Sequence, residues 1–534
     1  MMIETKKYTY NEFLKSPTKD QWHKIGIQRR AGVCTPLFSI YSQNSLGIGE
    51  IPDLELLIDW CEQTGLSIIQ LLPLNDTGFN FTPYDSQSSF ALDPMYLSLD
   101  KLTEVHITNE IKNQIQQTNE DPKFKEQNVN YEIKKIKLDL LWKIFLKSDR
   151  ANPRFDAFIE KNKFWIHDYS LFKALKDNQG QRSWIEWGKD LKEGDPEKIT
   201  FYSWLQWQLF EQFTVVKAYA KTKNILILGD LPLFVSFDSA DVWANQAYFK
   251  LDYMSGAPPD AYCKKGQRWG MPTYNWEAMA EHNYDYYINK LKYAENFYDM
   301  FRIDHAIGLF RVWSIPSSEP IENGSENGAF DPADESIWEE HGKIIYKVII
   351  ENTSMLPCAE DLGAVPDCSP IVLKELSIPG LEVQRWLKNK ANDSLRPVEE
   401  YRKNSIAVIS THDMAHFAVW WNSEATEEEK KLFLAYCQNE SSIENQAEKS
   451  LTEIMKLAIE KISKSASIFS IQIIHDWLTL KGFDSLEAKS SRVNLPGIVS
   501  KDNWSIRMPI SLEEMKQLEI NKLIKEINID SQRI

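Results

Sequence analysis

The feature that most constrains the fold is a set of eight short apolar runs at wide intervals, each followed by polar residues. Continuous apolar runs are typical of strands in a parallel sheet that is buried on both faces. The runs are GVCTPLF (32–38), SIIQLLPL (67–74), ILILGDLPLF (225–234), MFRIDH (300–305), MLPCAED (355–361), GLEVQRWL (380–387), IAVISTHD (406–413) and SIFSIQIIHDWL (467–478).

Helical patterns lie between several of these runs. Residues 53–65 space their apolar side chains helically and stop at Gly65, and residues 205–221 form an amphipathic pattern before the third run. Alternating strands and helices indicate a parallel α/β fold, and eight strands favour a (β/α)8 TIM barrel. Periodicity alone does not separate this barrel from an open parallel sheet.

The spacing of the runs predicts inserted subdomains. About 150 residues separate the second run from the third, and about 65 separate the third from the fourth, whereas ordinary connections are much shorter. We therefore expect one catalytic barrel domain over 1–534, with a helical insertion at 95–205 between strands 2 and 3. A second insertion at 236–295, rich in Gly, Pro and aromatic residues, would form active-site loops and a lid, and 423–463 would be a peripheral helical insertion.

Charge and composition narrow the class of partner. The formal net charge of −16 repels phosphate backbones and anionic membrane surfaces, so neither nucleic acid nor a membrane is expected as a partner. A neutral substrate meets no such penalty. The 18 Trp and 21 Tyr residues fit core packing, and they also fit sugar binding, because an aromatic face stacks on the apolar face of a pyranose.

Cysteine usage and the amino-terminal residues predict a cytoplasmic protein. Six cysteines in 534 residues form no CxxC pair, which is typical of reduced thiols in a cytosolic protein. The first residues, MMIETKKYTYNEFL, lack the apolar core of a signal peptide. No run approaches the roughly 18 apolar residues of a membrane span.

Polar residues at the ends of the runs predict where chemistry occurs. Asp230 ends the third run, Arg302 and Asp304 end the fourth, Glu360 ends the fifth, and His412 with Asp413 ends the seventh. In a barrel these ends share one face, which is where active sites lie. No phosphate-binding Gly-rich loop and no CxxC or HExxH metal pattern accompanies them.

Several carboxylates around one pocket suit chemistry at an acetal carbon. One carboxylate attacks or stabilises the anomeric carbon, and a protonated carboxyl group protonates the leaving oxygen. Residues i and i+2 of a strand face the same side, so Arg302 can keep the carboxylate of Asp304 ionised through charge-assisted hydrogen bonds.

Structural roles remain open for each of these residues at this point. Strand-end carboxylates such as Asp230 and Asp361 often cap a helix or pair with a barrel arginine, and His305 and His416 suit structural roles. A metal site built from Asp, Glu and His is a further alternative on pattern alone.

The motifs that contain these residues resemble the amylomaltase, or disproportionating-enzyme, family of 4-α-glucanotransferases in the α-amylase clan. The resemblance covers nearly the whole chain, with many motifs in the family's order. The motifs are RRAGVCTPLFSIYSQNSLGIGE (29–50), LLPLNDTG (71–78), TPYDSQSSFALDP (82–94), GDLPLFVSFDSADVW (229–243), GAPPDAYCKKGQRWGMPTYNW (256–276), FRIDHAIGLFRVW (301–313), AEDLGAVP (359–366), STHDM (410–414) and RVNLPGIVSKDNWSIRMP (492–509).

The resemblance implies three catalytic residues. Asp304 of FRIDH matches the family nucleophile, Glu360 of AEDLG matches the general acid/base, and Asp413 of THD matches the carboxylate that stabilises the transition state. The same resemblance implies substrate-binding residues around them, with Trp269 and Gly270 in a GQRWG lid that also includes Gly266. These substrate-binding residues are Tyr84, Asp230, Trp269, Gly270, Arg302, His412 and Asn494.

Three residues depart from the family pattern. Glu50 stands where Asp is usual, Met414 follows THD where a small polar residue is common, and His475 replaces a common Gln. None of the three is a proposed catalytic carboxylate, although each could alter subsites or barrel packing.

The resemblance predicts transfer of α-1,4-glucan segments between maltooligosaccharides through a covalent glycosyl-enzyme intermediate, with no metal and no organic cofactor. The alternatives are a mainly hydrolytic α-glucosidase or amylase-type enzyme and a non-catalytic glucan-binding protein. Loss of Asp304, Glu360 or Asp413 would indicate the non-catalytic protein, and all three are present. Preferred donor and acceptor, cycloamylose formation and oligomeric state do not follow from the sequence.

Overall fold

Each of the eight predicted apolar runs forms a buried strand in the computed structural model, which describes residues 8–149, 151–188, 193–260, 263–386, 394–438, 449–483, 492–498 and 500–534. The last residue of the sixth run, Leu387, lies outside the described residues. The strands are β1 (Arg30–Thr35), β2 (Ile68–Leu71), β3 (Leu226–Leu231), β4 (Met300–Ile303), β5 (Leu356–Ala359), β6 (Gly380–Val383), β7 (Ser405–Val408) and β8 (Phe469–Ile473).

The eight strands form one parallel sheet in the order β5-β4-β3-β2-β1-β8-β7-β6. Its two ends meet, because the amide of Ala359, the last residue of β5, donates to the Pro379 carbonyl before β6 at 2.7 Å. The sheet therefore closes, and the predicted (β/α)8 barrel is confirmed. On β1, a Cβ at Gly32 would lie 2.7 Å from the Ile68 carbonyl oxygen, so close strand packing requires glycine there.

Helices surround the barrel, and helices also lie in the described parts of the three predicted insertions. The helix predicted to end at Gly65 spans Leu54–Thr64, and Gly65 adopts φ +73°, the usual helix C-terminus. The α-helices are Lys19–Ile25, Leu54–Thr64, Asn109–Glu120, Glu132–Phe145, Pro153–Lys161, Ile166–Asn178, Pro196–Thr222, Ala240–Ala244, Trp276–Glu281, Asp285–Ala294, Trp338–Asn352, Cys368–Glu375, Phe417–Val419, Glu427–Gln438, Leu451–Ser463, Ile474–Thr479, Leu512–Lys516 and Ile520–Asp530.

The helix before β3 is longer than its amphipathic pattern predicts. It begins at Pro196 rather than near residue 205, and the Asp195 side chain caps it by accepting from the Glu197 amide. Its amino-terminal turns bury aromatic residues such as Phe201 and Trp204 against the first insertion. Burial on several faces hides the amphipathic signal there.

Four helices lie wholly within the described part of 95–205, and two of them, Glu132–Phe145 and Ile166–Asn178, carry the buried lysines Lys134 and Lys173. Lys134 Nζ lies 2.9 Å from Asp76 Oδ1 and 2.8 Å from Asp93 Oδ2, and all three side chains are at most 2% exposed. Lys173 Nζ lies 2.9 Å from Asp76 Oδ2. Burial raises the pKa of Asp76, but the two ammonium groups outweigh it, so that pKa lies well below its usual range. These ion pairs fasten the segment after β2 to the first insertion.

The region after β3 contains a small antiparallel sheet. Tyr253–Ala257 pairs with Gln267–Arg268 and with Val312–Pro316, which follows β4 and pairs with Ala329–Asp331. Phe249–Lys250 and Thr273–Tyr274 form a separate two-stranded ladder. Two loops of the barrel mouth are thus joined in one sheet.

Parts of the predicted insertions lie outside the described residues. These are 150 and 189–192 of the first, 261–262 of the second and 439–448 of the third. In the described part of the third, the helices Glu427–Gln438 and Leu451–Ser463 are present. Within the described ranges, no helix has the length and apolar character needed to span a bilayer.

The carboxy-terminal residues close the amino-terminal end of the barrel. Arg533 is fully buried, and its guanidinium donates to the carbonyls of Arg30, Ser463 and Ile468 at 2.7–3.1 Å. Residues 30 and 468 lie at the starts of β1 and β8, so Arg533 joins the first strand to the last.

Candidate active site

The predicted site residues lie at the carboxyl ends of β3, β4, β5 and β7, with three further segments beside them that carry Tyr84, Trp269–Gly270 and Asn494. Asp230 and Arg302 are register partners on neighbouring strands. Arg302 Nη1 donates to Asp230 Oδ1 at 2.8 Å and to Asp304 Oδ1 at 2.9 Å. The i, i+2 relation between Arg302 and Asp304 thus brings guanidinium and carboxylate together as expected.

Burial differs among these three side chains. The Asp230 side chain is 0% exposed and that of Arg302 is 8% exposed, whereas Asp304 is 26% exposed. Burial raises the pKa of Asp230, and the Arg302 guanidinium opposes that shift. Asp304 is therefore the member of the group that can meet a substrate.

Glu360 follows β5 and is held by backbone donors. Its Oε2 accepts from the His305 amide and its Oε1 from the Leu362 amide, each at 3.0 Å. His305 adopts a left-handed backbone conformation, with φ +45°, and this conformation directs its amide toward Glu360. Such a conformation is uncommon for a residue other than glycine and costs about 1–3 kcal/mol. One backbone turn thereby fixes both Asp304 and Glu360.

The carboxyl group of Glu360 is poised to exchange a proton near neutral pH. Burial raises its pKa to about 7, with Arg302 opposing and Asp304 adding to the increase. A carboxyl group that is partly protonated at pH 7 can act as the acid in an acid-assisted displacement, and Asp304, whose charge acts on it, accepts a hydrogen bond from Arg302.

Asp413 lies in a second hydrogen-bonded group. Asn494 Nδ2 donates to Asp413 Oδ1 at 2.7 Å, and His412 Nε2 lies 3.1 Å from Asp413 Oδ2. Burial raises the pKa of Asp413, but His412 outweighs this effect and the pKa lies well below its usual range. At 41% exposure of its side chain, Asp413 presents an acceptor to the cleft.

Tyr84 connects the two groups. Its hydroxyl donates to Asp230 Oδ2 at 2.8 Å and lies 2.9 Å from His412 Nε2, while its ring stacks on the His412 ring at 5.5 Å. Asp230, Arg302, Asp304, Tyr84, His412, Asp413 and Asn494 are thus linked in one chain of contacts.

Trp269 contacts the site through the ring of His305, and Gly270 follows Trp269 in the chain. The Trp269 ring meets the His305 ring edge-on at 4.8 Å, and the Trp269 amide donates to the Ser255 carbonyl at 3.0 Å. Gly270 adopts φ +83° in open space, and no atom lies within 4 Å of a Cβ built there. The predicted lid residues therefore lie beside the residue that follows Asp304.

The sequence left open a structural role for Asp361 and a metal site built from Asp, Glu and His, and the structure bears on both. Asp361 pairs with Arg402 at 2.5 Å and accepts from the Leu381 amide at 2.8 Å, so its role is to join β5 to β6. Among the described residues, no group of three or more His, Cys, Asp or Glu side chains is arranged to hold a metal ion.

Sequence reasoning missed Trp504 and the amide of His305. Trp504 is 7% exposed and packs against the rings of Tyr84 and His412 at 5.7 and 6.1 Å. Its place in the motif at 492–509 was the available signal. The role of the His305 amide depends on a backbone conformation that residue identity does not reveal.

Comparison with known proteins decides the family. Residues 35–513 match the family model described as 4-alpha-glucanotransferase. The 4-alpha-glucanotransferase of Chlamydia pneumoniae is 37% identical over 529 residues, covering 95% of this chain and 96% of the relative. The chain belongs to the 4-alpha-glucanotransferase family.

Solved structures agree with this membership in the 4-alpha-glucanotransferase family. The amylomaltase of Streptococcus agalactiae, solved in complex with acarbose, is similar with a TM-score of 0.79 and 26% identity, covering 95% of this chain and 100% of that one. The amylomaltase of Corynebacterium glutamicum shares the fold, with a TM-score of 0.82 at 20% identity, covering 97% of this chain and 76% of that one.

Two departures from the 4-alpha-glucanotransferase pattern have local contacts that accommodate them. Glu50 Oε1 accepts from Lys137 Nζ at 2.7 Å, and both side chains are at most 4% exposed. His475 stacks on His416 at 5.8 Å, and burial lowers its pKa to about 4. Met414 is partly buried against the core.

Proposed function

We propose that this member of the 4-alpha-glucanotransferase family transfers α-1,4-linked glucan segments between maltooligosaccharides by retaining double displacement. One observation carries the mechanism: Glu360, with its pKa raised to about 7, lies beside an Asp304 carboxylate that accepts from Arg302. The names of the relatives and the acarbose complex of the streptococcal enzyme support a glucan substrate.

In the first step, an Asp304 carboxylate oxygen attacks the anomeric carbon of a bound glucan. The bond between that carbon and the glycosidic oxygen breaks, and Glu360 gives its proton to the departing oxygen. The product is a glycosyl ester on Asp304, and Glu360 is left as a carboxylate.

In the second step, the Glu360 carboxylate takes the proton from the 4-hydroxyl of an acceptor sugar. That oxygen attacks the anomeric carbon, the ester bond breaks, and Asp304 returns to its carboxylate form. Two inversions give net retention, so an α-1,4 bond is formed again and Glu360 is protonated for the next cycle.

The surrounding residues bind and orient the sugar in this proposal. Asp413, oriented by Asn494 and His412, accepts hydrogen bonds from sugar hydroxyls, and these bonds strengthen as positive charge develops on the ring. Tyr84 offers an aromatic face to the donor sugar. Trp269 covers the acceptor side and lowers access of water to the intermediate.

A cytoplasmic enzyme without nucleic-acid or membrane partners fits the chemistry of the chain. All six cysteines are free thiols, as in reducing compartments, and the net charge of −16 disfavours anionic partners. The proposed chemistry needs neither a metal nor an organic cofactor.

Product sizing after incubation with maltotriose tests the function. Transfer produces glucose together with chains longer than maltotriose, whereas a hydrolytic enzyme produces only shorter ones. Shorter products alone would show that the chain is a hydrolase, and no products would indicate a glucan-binding protein.

Asp304→Asn tests the nucleophile. The amide removes the attacking charge with little change in shape, so we expect turnover to fall by about 10³-fold or more. An unchanged unfolding temperature controls for folding. Turnover near that of the unsubstituted enzyme would exclude Asp304 from this role.

A further inference from the structure

A cavity of about 160 Å³ lies apart from the reaction centre, between the segment after β2, the first insertion and the helix Asp285–Ala294. None of the ten site residues described above lines it. Its volume is below the roughly 300–1,000 Å³ of pockets for drug-sized ligands, so a ligand of about one sugar ring matches it.

One side of the cavity is aromatic. Phe90 stacks on Trp165 with ring centroids 5.7 Å apart and an angle of 11°, and Phe164 meets Phe90 edge-on at 5.7 Å. Phe90 and Trp165 are 6% and 4% exposed, whereas Phe164 is 43% exposed. Phe164 therefore lies at the partly exposed rim of the cavity, against the buried ring of Phe90, where it can offer an apolar surface to a ligand.

Polar side chains on the other side have unused hydrogen-bonding capacity. Among the described residues, neither Asp168 nor Asn289 has a hydrogen-bond partner for its side chain, and both line the cavity half-buried. Asp241 and Asp285 also line it, but their carboxylates already accept from protein donors, including the hydroxyls of Tyr286 and Tyr248 at 2.7 and 2.8 Å. Asp168 and Asn289 thus supply a carboxylate and an amide, which together accept from and donate to hydroxyl groups.

The lining disfavours anions. Of the described residues around the cavity, none is lysine, arginine or histidine, so an anionic ligand would find no counter-charge. No metal-binding group of three or more His, Cys, Asp or Glu side chains occurs among the described residues. An aromatic face opposite planar polar side chains instead matches a neutral pyranose, whose two faces are apolar and whose edge carries hydroxyls.

We propose that this cavity is an accessory binding site for a glucosyl unit of an α-1,4-glucan, separate from the reaction centre. The inference rests on the proposed function, which supplies the class of ligand. An accessory site holds a long glucan at a second point, so it raises the effective concentration of that glucan at the barrel mouth. Short substrates cannot reach both places and gain nothing from it.

Calorimetric titration of maltotriose into the inert Asp304→Asn chain tests the number of sites. We expect two binding events, and one after Phe164→Ala is added, because truncation of a stacked ring weakens binding by about tenfold. Ile185→Ala, which truncates a 61% exposed side chain of the same insertion, is the matched control and should retain both events. Two unchanged events in the Phe164→Ala chain would overturn the proposal.

Kinetics of the active enzyme separate this proposal from the proposed function. With Phe164→Ala or Asp168→Ala, we expect KM for glycogen to rise several-fold while kcat and KM for maltotriose stay unchanged. Equal changes for both substrates, or binding of tetramethylammonium but not maltotriose at the cavity, would overturn the accessory site. If the unsubstituted enzyme binds maltotriose twice but makes no longer chains, the proposed function fails and the accessory site stands.

Discussion

Two segments border the reaction centre, and the protein holds them in different ways. The Tyr84 segment, residues 76–93, is fastened by the buried ion pairs of Lys134 and Lys173 with Asp76 and Asp93. The lid segment, residues 263–272, is joined to the strand Tyr253–Ala257 by backbone bonds of Gln267–Arg268, Trp269 and Met271, and every described residue from 263 to 270 is at least partly exposed.

The difference assigns different tasks to the two segments. Opening the Tyr84 segment would leave charged groups buried without partners, which is costly, so the donor sugar meets a fixed surface. The lid segment is held instead by hydrogen bonds between partly exposed groups, such as that from Arg268 Nη1 to the Glu319 carbonyl at 2.8 Å, and regions of this kind belong to the low-stability part of a protein. An enzyme that excludes water but exchanges acceptors benefits from a fixed donor side and a movable acceptor side.

Lys134→Met should have the largest effect, because it removes an ammonium group that holds the Tyr84 segment in place. It leaves two buried carboxylates without this ammonium group, and we expect the free energy of unfolding to fall by about 3–5 kcal/mol. Denaturant titration measures this loss, and turnover should fall because Tyr84 loses its support. Lys123→Met, which breaks an exposed pair with Glu132, is the control with an expected loss of about 0–1 kcal/mol. Equal losses would remove the basis of the comparison.

The pH dependence of kcat/KM should report the acid that follows β5, Glu360. Glu360 must be protonated to act as the acid, and its pKa is raised to about 7. The protonated fraction falls as pH rises through that value, so we expect kcat/KM for maltotriose to fall about tenfold between pH 6 and pH 8. Circular dichroism at both pH values controls for unfolding. A profile that stays flat to pH 9 would contradict this assignment of the acid.

Trp269→Ala should change how well the lid segment excludes water, without lowering the stability of the fold. Water gains access to the intermediate when the ring beside His305 is removed, so we expect the ratio of free-glucose release to transfer to rise about threefold. The unfolding free energy should stay within about 0.5 kcal/mol. Ile321→Ala, at an 82% exposed side chain, is the control. An unchanged ratio in Trp269→Ala would exclude the lid role.

Gly270→Ala should give the smallest effect. An alanine at φ +83° is strained by about 1 kcal/mol, but its Cβ meets no atom within 4 Å, and local movement of the lid segment relieves the strain. We expect almost no change in thermal unfolding and a smaller shift in product ratio than for Trp269→Ala. Gly32→Ala is the contrasting control, because its Cβ would meet the barrel backbone at 2.7 Å. A large loss of stability in Gly270→Ala would show that the lid segment is fixed too.

Sequence predicted the barrel because strand burial follows directly from local composition. All eight apolar runs became strands, and Gly65 ended the predicted helix where a left-handed residue was needed. The site residues could also be proposed from sequence, because carboxyl ends of parallel strands meet on one face. Their geometry brings Asp230, Arg302 and Asp304 into direct contact.

The buried ion pairs that hold the Tyr84 segment in place could not be predicted from the sequence. Lysine is almost never fully buried without a partner, and nothing local to Lys134 reveals that its partners lie 58 and 41 positions away. The raised pKa of Glu360 likewise depends on burial and on charges from other strands. Pairing of Tyr253–Ala257 with Val312–Pro316 joins two separate loops, which a reading of consecutive elements does not show.

The contact between Arg533 and the first strand has a consequence for biosynthesis. Residue 30 leaves the ribosome long before residue 533, so the start of β1 has no access to this guanidinium while the rest of the chain is being made. Its other neighbour, β8, is also made late. We expect the nascent chain to keep an open sheet edge at β1 until β8 has been made, and edges of this kind recruit chaperones or aggregate.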